Sequence, residues 1–213
     1  MDDLTPDDVR YVVIDFEGTT PPGRPSAPIE VAALVLNPAG DSATSEASFE
    51  ELIRPPDDAP VTPFDTVLKG ITSADVQTAR PPADVFTAID IWLPNSRCLL
   101  VAHHASVEAG MIYRHREHCP ALSTTPFLDT VRMAKAVLPG VGSYNLDQLL
   151  LQLRIPRPIN RHRAMPDVHA TAQLFRRLWG LGVSQGHWKT GKDALKIAGL
   201  TPQASRPQQT SLF

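Results

Sequence analysis

The sequence is short of cysteine and of long apolar runs, and each shortage excludes a class of protein. Two cysteines, Cys98 and Cys119, occur among 213 residues, without a C-x-x-C spacing. A disulfide framework or a structural zinc site is therefore not expected. The longest unbroken apolar run, Val31 to Leu36, has six residues, whereas a membrane-spanning helix needs about 20. We predict no membrane span.

Positive charge is also limited. Lys and Arg number 20 against 23 Asp and Glu, which gives a net charge of −3. Binding to nucleic acid therefore cannot rest on a globally basic surface and has to be local. The N-terminus, MDDLTPDD, has neither the basic start nor the apolar stretch of a secretion signal. We expect a cytoplasmic protein.

Hydrophobic residues make up 42% of the chain, which is enough for one domain with a sizeable core. Strands are predicted at 11–17, 30–36 and 47–53, the last after a turn at Pro38-Ala39-Gly40. Three successive strands indicate an antiparallel meander. Short strands at 98–102 and 127–128 then alternate with helices, which are predicted at 83–93, 106–118, 129–138, 146–153 and 166–181.

This alternation predicts the α/β class: a mixed sheet, in which a meander is joined by parallel strands, flanked by helices. We place one domain at residues 8–182. A short helix at 192–197 and a linker rich in Pro, Gln and Ser would fill residues 183–208. The last five residues, 209–213, form a separate segment.

Two acids end the first strand. Asp15 and Glu17 are one residue apart, so on a strand their side chains project from the same face. Central strands of α/β folds commonly end at a site of chemistry. The alternative is a plain polar strand end, and the tripeptide by itself does not separate the two interpretations.

A second constellation lies far along the chain, where His162 and Asp167 flank the predicted start of the long helix. The helix dipole stabilises the Asp167 carboxylate, which is the form that a hard divalent cation binds. His162 has an ordinary pKa suited to taking a proton from water at neutral pH. The alternatives are a helix-capping acid and a surface histidine between Arg161 and Arg163.

The ordered set of D-x-E, a middle acid and H-x4-D resembles the DEDDh family of 3′-to-5′ exonucleases, relatives of the proofreading epsilon subunit of bacterial DNA polymerase III. The resemblance extends over about residues 10–181 and includes the segments PIEVAALVL, KGITSADV, LDTVRMAKAVLPG, YNLDQLL and HRAMPDVHATAQLF. It implies an RNase H-like sheet and hydrolysis of terminal phosphodiesters with two divalent ions, Mg²⁺ or Mn²⁺. It also implies that Asp15, Glu17, Glu108 and Asp167 bind the metals and that His162 is the general base.

The middle motif departs from the family pattern. Where the family usually has H-N-x-x-F-D, this chain reads His103-His104-Ala105-Ser106-Val107-Glu108. The acid is one methylene longer than Asp, and an aromatic platform for a base is replaced by Val107. An acid in a first helical turn after a Ser106 cap is the alternative interpretation of Glu108. Neighbouring strand residues point to opposite faces, so we do not expect His103 and His104 to bind one ion.

Segments beside the acids are expected, from the same resemblance, to contact the substrate. In the family a Thr commonly follows the first Glu and a His precedes G-I-T, whereas this chain has Gly18 and Lys69. The full expected set is Gly18, Thr19, Lys69, Gly70, Ile71, His103 and Val107.

The chain ends in Gln209-Thr210-Ser211-Leu212-Phe213, which looks like the short peptide that docks bacterial replication and repair proteins on the sliding clamp. Leu212 and Phe213 would fill an apolar pocket while Gln209 bonds at its rim. A frayed terminus is the alternative.

The sequence therefore predicts a clamp-tethered 3′-to-5′ exonuclease that acts on DNA 3′ ends in replication proofreading or repair. An RNA-trimming exonuclease on the same fold and a catalytically weak adaptor that binds nucleic acid or the clamp remain the two alternatives. The His162 motif argues against the adaptor, because a binding protein needs no general base.

Overall fold

The computed structural model describes residues 9–36, 45–94 and 97–202 and contains a six-stranded sheet in the order β3-β2-β1-β4-β5-β6. β1 is the clearest case of sequence determining structure, because its apolar β-branched run is buried from Tyr11 to Ile14. The strands are β1 Arg10–Gly18, β2 Pro28–Leu36, β3 Ser45–Leu52, β4 Cys98–Ala102, β5 Phe127–Asp129 and β6 Gly199–Leu200.

The strand pairing confirms the predicted α/β class. β1 pairs with β2 and β2 with β3 in antiparallel fashion, while β1–β4 and β4–β5 are parallel. The turn expected at Pro38-Ala39-Gly40 lies outside the described residues. β6 pairs antiparallel with β5 and was not predicted, since two residues carry no periodic signal.

Helices cover both faces of the sheet, and they are α1 Pro63–Lys69, α2 Ser73–Gln77, α3 Pro82–Trp92, α4 Ser106–Arg114, α5 Pro120–Thr124, α6 Thr130–Val137, α7 Leu146–Gln152, α8 Ala164–Ser184 and α9 Gly191–Ala198. The sequence analysis missed α1, α2 and α5. α2 and α5 have five residues each, too few to display a helical period, and α1 has no buried apolar face, because its apolar side chains are exposed while Asp65 and Lys69 are buried. The start signals of α1 and α2 were readable, because Thr62 and Thr72 each form a capping box with an Asp three residues later.

The largest differences from the predicted helix boundaries are in α4 and α8. α4 ends at Arg114 rather than at 118. α8 begins at Ala164, two residues before Pro166. Proline is tolerated there because the backbone N–H groups of the first helical turn have no partner within the helix. α8 also ends at Ser184 rather than at 181.

Alternation along β1 separates the core into two clusters. Tyr11 and Val13 pack in the cluster that contains α6, α7 and α8, whereas Val12, Ile14 and Phe16 pack in the cluster that contains α3 and α4. Asp15 and Glu17 continue the odd-numbered series, so they share the face covered by α8. Among the described residues, no helix combines the length and apolar character required to cross a bilayer.

Candidate active site

One acid of β1, Glu17, meets the start of α8 at the end of the sheet's central strand. Glu17 lies opposite Glu30 in the β1–β2 register, and α8 packs against both strands. One oxygen of Glu17, one ring nitrogen of His162 and one oxygen of Asp167 lie within 4.8 Å of one another. Residues 145 positions apart in sequence are thus brought into one group, as the sequence analysis expected. Asp15 and Glu108 lie outside this group of ligand atoms.

Glu108 reaches the same region from α4, which begins four residues after β4 ends. Its side chain is 3% exposed, and its Oε2 atom has no hydrogen-bond partner. Burial and then the charge of Asp15 raise the pKa of Glu108 well above its ordinary range. The helix is capped at Ala105 without a side-chain bond, so the alternative of a Ser106 cap is wrong.

The β1 acids are also held where the charged form is disfavoured. Burial and the charge of Glu17 raise the pKa of Asp15, an effect that Arg161 partly opposes. Burial raises the pKa of Glu17 to about 7, against the opposing charge of Lys69. Such crowding of buried carboxylates is unfavourable unless a positive charge joins them.

The donor set fits divalent cations. Asp15, Glu17, Glu108 and Asp167 offer hard carboxylate oxygens, which Mg²⁺ and Mn²⁺ prefer. An unpartnered, buried Glu108 oxygen is a group that a cation would satisfy. His162 belongs to the same group of atoms, and burial followed by the charge of Arg161 lowers its pKa. Its imidazole is therefore neutral at pH 7 and able to accept a proton.

The paired histidines do not lie on a strand. β4 ends at Ala102, and His104 adopts a left-handed backbone conformation with φ 62° in the following turn. The two rings consequently meet edge to face with their centroids 5.0 Å apart, and the prediction that they point to opposite faces is wrong. His103 Nδ1 lies 2.9 Å from Thr130 Oγ1. Burial lowers the pKa of His103 to about 3.

Lys69 is buried beside the acids. Its ammonium group donates to Asp65 at 3.0 Å, and both side chains are at most 7% exposed. Asp65 also accepts from Thr20 and Thr62, which ties the loop after β1 to α1. Lys69 therefore forms part of a satisfied network, and its charge also acts on Glu17.

The other residues expected at the substrate have local structural partners. Thr19 is fully buried and its hydroxyl accepts from the backbone of Ala27 at 3.2 Å. A Cβ at Gly18 would collide with Ser26 Oγ and Met111 Cε, so this position favours glycine. Gly70 ends α1 with φ 69°, and Ile71 is 1% exposed in the core. Val107 is 48% exposed. Contact of this set with a substrate stays a prediction.

Sequence reasoning missed the residues that surround the cluster. Glu30 is 1% exposed and bonds Arg163, while Asp147 bonds Arg161 at 2.7 Å. A signal for Glu30 existed, because it is the single acid in the otherwise apolar strand PIEVAALVL. Asp129, which caps α6 and adds to the rise in the pKa of Glu108, was missed as well. Gln209, Leu212 and Phe213 lie outside the described residues.

Comparison with known proteins places this geometry in a family. Residues 12–175 match the family model of the RNase T type described as "Exonuclease". The chain belongs to this exonuclease family, as the motifs of the sequence indicated.

Sequence relatives include PolC-type DNA polymerase III from Thermotoga maritima, 29% identical over 177 residues, and that from Streptococcus sanguinis, 30% identical over 174 residues. These matches cover 83% and 81% of this chain. The chain spans 12% and 11% of the respective relatives, so it corresponds to a small part of each polymerase.

Solved structures share the fold. Cell-death related nuclease 4 matches with a TM-score of 0.71 at 15% identity, over 95% of this chain and 84% of that one. Exonuclease X, solved with 5′-overhanging duplex DNA, matches with a TM-score of 0.61 at 22% identity, over 86% and 99%. A 3′-exonuclease solved with a histone mRNA stem-loop matches at 0.69 and 18%, over 83% and 65%.

Proposed function

We propose that this exonuclease works in the 3′-to-5′ direction on DNA in replication proofreading or repair. The observation that carries the proposal is the group formed by Glu17, His162 and Asp167, whose ligand atoms lie within 4.8 Å. Asp15 and Glu108 are outside that group, but the charge of Glu17 acts on both of them and the charge of Asp15 acts on Glu108, which supports their assignment to the same site. Membership of the exonuclease family supports hydrolysis of nucleic acid from an end. The direction of hydrolysis, the metal and the polymer are what we propose in addition.

In this proposal the four carboxylates hold two divalent ions, Mg²⁺ or Mn²⁺. When bound, the ions stabilise the attacking and leaving oxygens of an in-line displacement. His162 accepts the proton of the attacking water at a ring nitrogen, which its lowered pKa leaves free at neutral pH. Proton removal raises the nucleophilicity of the water at the terminal phosphodiester.

The residues that the sequence assigned to the substrate divide into two groups: some have side chains that can contact it, and others shape the loops around it. Val107 is exposed beside the buried Glu108, so it can touch the terminal nucleotide as an apolar surface. Lys69 offers a positive charge close to Glu17, although its ammonium group also bonds Asp65. We propose that Thr19, Gly70 and Ile71 act by shaping the loops around the substrate rather than by side-chain contact, because they have structural roles within those loops.

DNA is the proposed polymer because the sequence relatives are DNA polymerases and the tail resembles a clamp-binding peptide. RNA is the second candidate, since one structural neighbour was solved with a histone mRNA stem-loop. The active-site acids do not separate the two, because phosphodiester hydrolysis makes the same demands in both.

Metal-dependent shortening of labelled oligonucleotides tests the proposed exonuclease activity. Purified protein is incubated with 5′-labelled single-stranded DNA or RNA, with Mn²⁺ or with chelator. A ladder of shorter labelled products is expected with Mn²⁺, and a 3′-terminal phosphorothioate should block it if cleavage starts at the 3′ end. Asp15→Ala should abolish the ladder. Glu117→Gln, which alters an acid that is 78% exposed, is the matched control and should leave it unchanged. No shortening of either polymer would defeat the proposal.

Tethering to the sliding clamp is a separate part of the proposal. Residues 209–213 would form the docking peptide of a cytoplasmic protein. The predicted division into a domain at 8–182 and a linker at 183–208 ends the domain too early, because Trp188 and α9 pack in the core and β6 pairs with β5. A weak peptide raises the local concentration of DNA ends without a basic surface. Replacing Leu212 and Phe213 together by Ala should abolish co-elution with the clamp and spare hydrolysis of free oligonucleotides. Replacing Thr210 and Ser211 is the control, and retained co-elution of the first variant would refute the tether.

A further inference from the structure

His162 has a left-handed backbone conformation, with a φ of 64°, which is uncommon for any residue other than glycine. Such a conformation persists where surrounding contacts determine it. The residues on either side, Arg161 and Arg163, supply those contacts, and each pairs with a carboxylate on a different element.

Arg163 is held by Glu30 from β2. Its Nε donates to the two carboxylate oxygens at 3.0 and 3.1 Å, and Nη2 donates to Oε1 at 2.6 Å. Glu30 Oε2 also accepts the backbone N–H of Ala164 at 2.8 Å. Ala164 is the first residue of α8, which has no side-chain cap of its own. Glu30 therefore caps α8 from a neighbouring strand.

Arg161 is held from the other side by α7. Its Nε donates to Asp147 Oδ1 at 2.7 Å, and its side chain is 9% exposed. Its Nη1 also contacts the carboxylate of Asp167. The ion pairs on both sides of His162 thus connect β2, α7 and the start of α8.

Glu30 is not itself a candidate metal ligand, because both of its oxygens are occupied by Arg163 and Ala164. It nevertheless lies opposite Glu17, where another negative charge disfavours the charged form of Glu17. Burying a charged acid beside other acids costs free energy, and the ion pair with Arg163 offsets that cost. Fixing the strand that carries Glu17 to the loop that carries His162 is a role of the Glu30–Arg163 pair beyond stability.

We propose that Glu30 and Asp147 are positioning residues that hold the general base His162 through Arg163 and Arg161. We call the two ion pairs, Glu30–Arg163 and Asp147–Arg161, the arginine brace. The inference rests on the proposed function for the chemistry of His162, whereas the brace itself is a property of the fold. It acts on the orientation of the imidazole relative to Glu17 and Asp167.

Glu30→Gln and Asp147→Asn test the brace because each removes one charge without changing the size of the side chain. Displacement of a reacting group by about 1 Å can cost about 100-fold in rate. We expect kcat for DNA shortening to fall about 30-fold to 100-fold in Glu30→Gln and about tenfold in Asp147→Asn. KM and the dissociation constant for Mn²⁺ should change less than about threefold, because neither residue is proposed to touch substrate or metal. Asp147→Glu keeps the negative charge and should therefore retain most of the kcat that Asp147→Asn loses.

Arg157→Gln is the matched control. Arg157 pairs with the same Asp147 at 2.9 Å but is 61% exposed, is not next to His162 in the sequence, and has the smallest of the charge effects on its pKa. Its removal should leave kcat within about twofold. Hydrogen exchange followed by mass spectrometry gives a second readout, and backbone amides in the segment 161–167 should exchange about tenfold faster in Glu30→Gln than in the unaltered protein.

Unchanged exchange and unchanged kcat in both brace variants would overturn the proposal. A loss of Mn²⁺ binding that matches the loss of rate would also overturn it, because the variants would then have damaged the metal site. If Glu30→Gln fails to fold, Asp147→Asn decides, since Asp147 is 38% exposed and tolerates change. If the unaltered protein shows no metal-dependent shortening, the proposed function fails while the exchange data still decide whether the brace exists.

Discussion

Two buried acids near Lys69 differ in how completely they are paired. Asp65 is fully buried and accepts bonds from the hydroxyls and backbone N–H groups of Thr20 and Thr62 and from Lys69. Burial acts to raise the pKa of Asp65, but these bonds lower it to about 2. Glu17 experiences the same Lys69 charge, yet burial raises the pKa of Glu17 to about 7.

This difference in hydrogen bonding separates an acid whose donors are supplied by the protein from acids that the protein leaves without enough donors. Asp65 has its donors supplied by the protein, so it stabilises the corner between the first loop and α1. The acids around Glu17 are crowded by like charges, and Glu108 keeps an unpartnered buried oxygen. Carboxylates that lack protein donors remain available to a cation, whereas satisfied ones do not.

The largest expected effect is the loss of activity in Asp15→Asn. The rate of DNA shortening at saturating Mn²⁺ should fall by a factor on the order of 10³ or more, because a metal ligand is removed. Thermal unfolding in chelator should not move to lower temperature, since the substitution relieves repulsion with Glu17 and Glu108. A lower midpoint would mean that Asp15 is a structural acid like Asp65.

Asp65→Asn should show the opposite pattern. It leaves Lys69 buried without a charged partner, so the free energy of unfolding should decrease by about 3 kcal/mol. Urea denaturation measures this, and Mn²⁺ binding should be retained. Asp75→Asn is the matched control, because Asp75 has the same capping-box position in α2 but is exposed. Equal losses in the two variants would show that burial and Lys69 add nothing.

The dependence of stability on pH should run in opposite directions for the two acids. The pKa of Glu17 rises to about 7 in the folded protein, so in chelator its stability contribution is complete below about pH 4.5 and is lost as the pH rises to about 7. The pKa of Asp65 falls to about 2, so its contribution is complete above about pH 4 and is lost as the pH falls to about 2.

Calorimetry in chelator should therefore show a midpoint that decreases by roughly 5 °C between about pH 6.5 and pH 8. Over this range the acids Asp15 and Glu17 lose protons, and the unfolded-state titration of the half-buried His103 and His115 no longer opposes the trend. Added Mn²⁺ should weaken this decrease, because a bound cation favours the charged carboxylates. A midpoint that is flat over this range in chelator would contradict the crowding of acids at the site.

Glu108→Asp is the smallest expected change. It converts the middle acid to the residue that the family usually has, and activity should be retained or raised, within about tenfold. A carboxylate displaced by about an angstrom can cost more than this. A larger loss of activity, measured at saturating Mn²⁺, would therefore mean that the site is built around the longer side chain of Glu108.

Much of this architecture could be predicted because the relevant signals are local. The run from Tyr11 to Ile14 specifies a central strand, and the spacing of Asp15 and Glu17 puts both acids on one face of it. The helical period after Pro166 indicates α8, even though the helix starts two residues earlier. Ordered motifs were enough to assign the family and to select Glu17, His162 and Asp167, which the structure brings together. The assignment of Asp15 and Glu108 to the same metal site stays a prediction.

The sequence by itself determined the α/β pattern and the chemistry of the acids and His162, because side-chain periodicity and spacing depend on the backbone alone. Tertiary structure decided what each charged group pairs with. Glu30 pairs with Arg163, which lies 133 positions later in the sequence. Rules that relate neighbouring residues cannot predict such a pair. Asp65 and Glu17 are both buried acids near one lysine, and only the folded chain determines that burial is outweighed at Asp65 by hydrogen bonds that lower its pKa, whereas burial raises the pKa of Glu17.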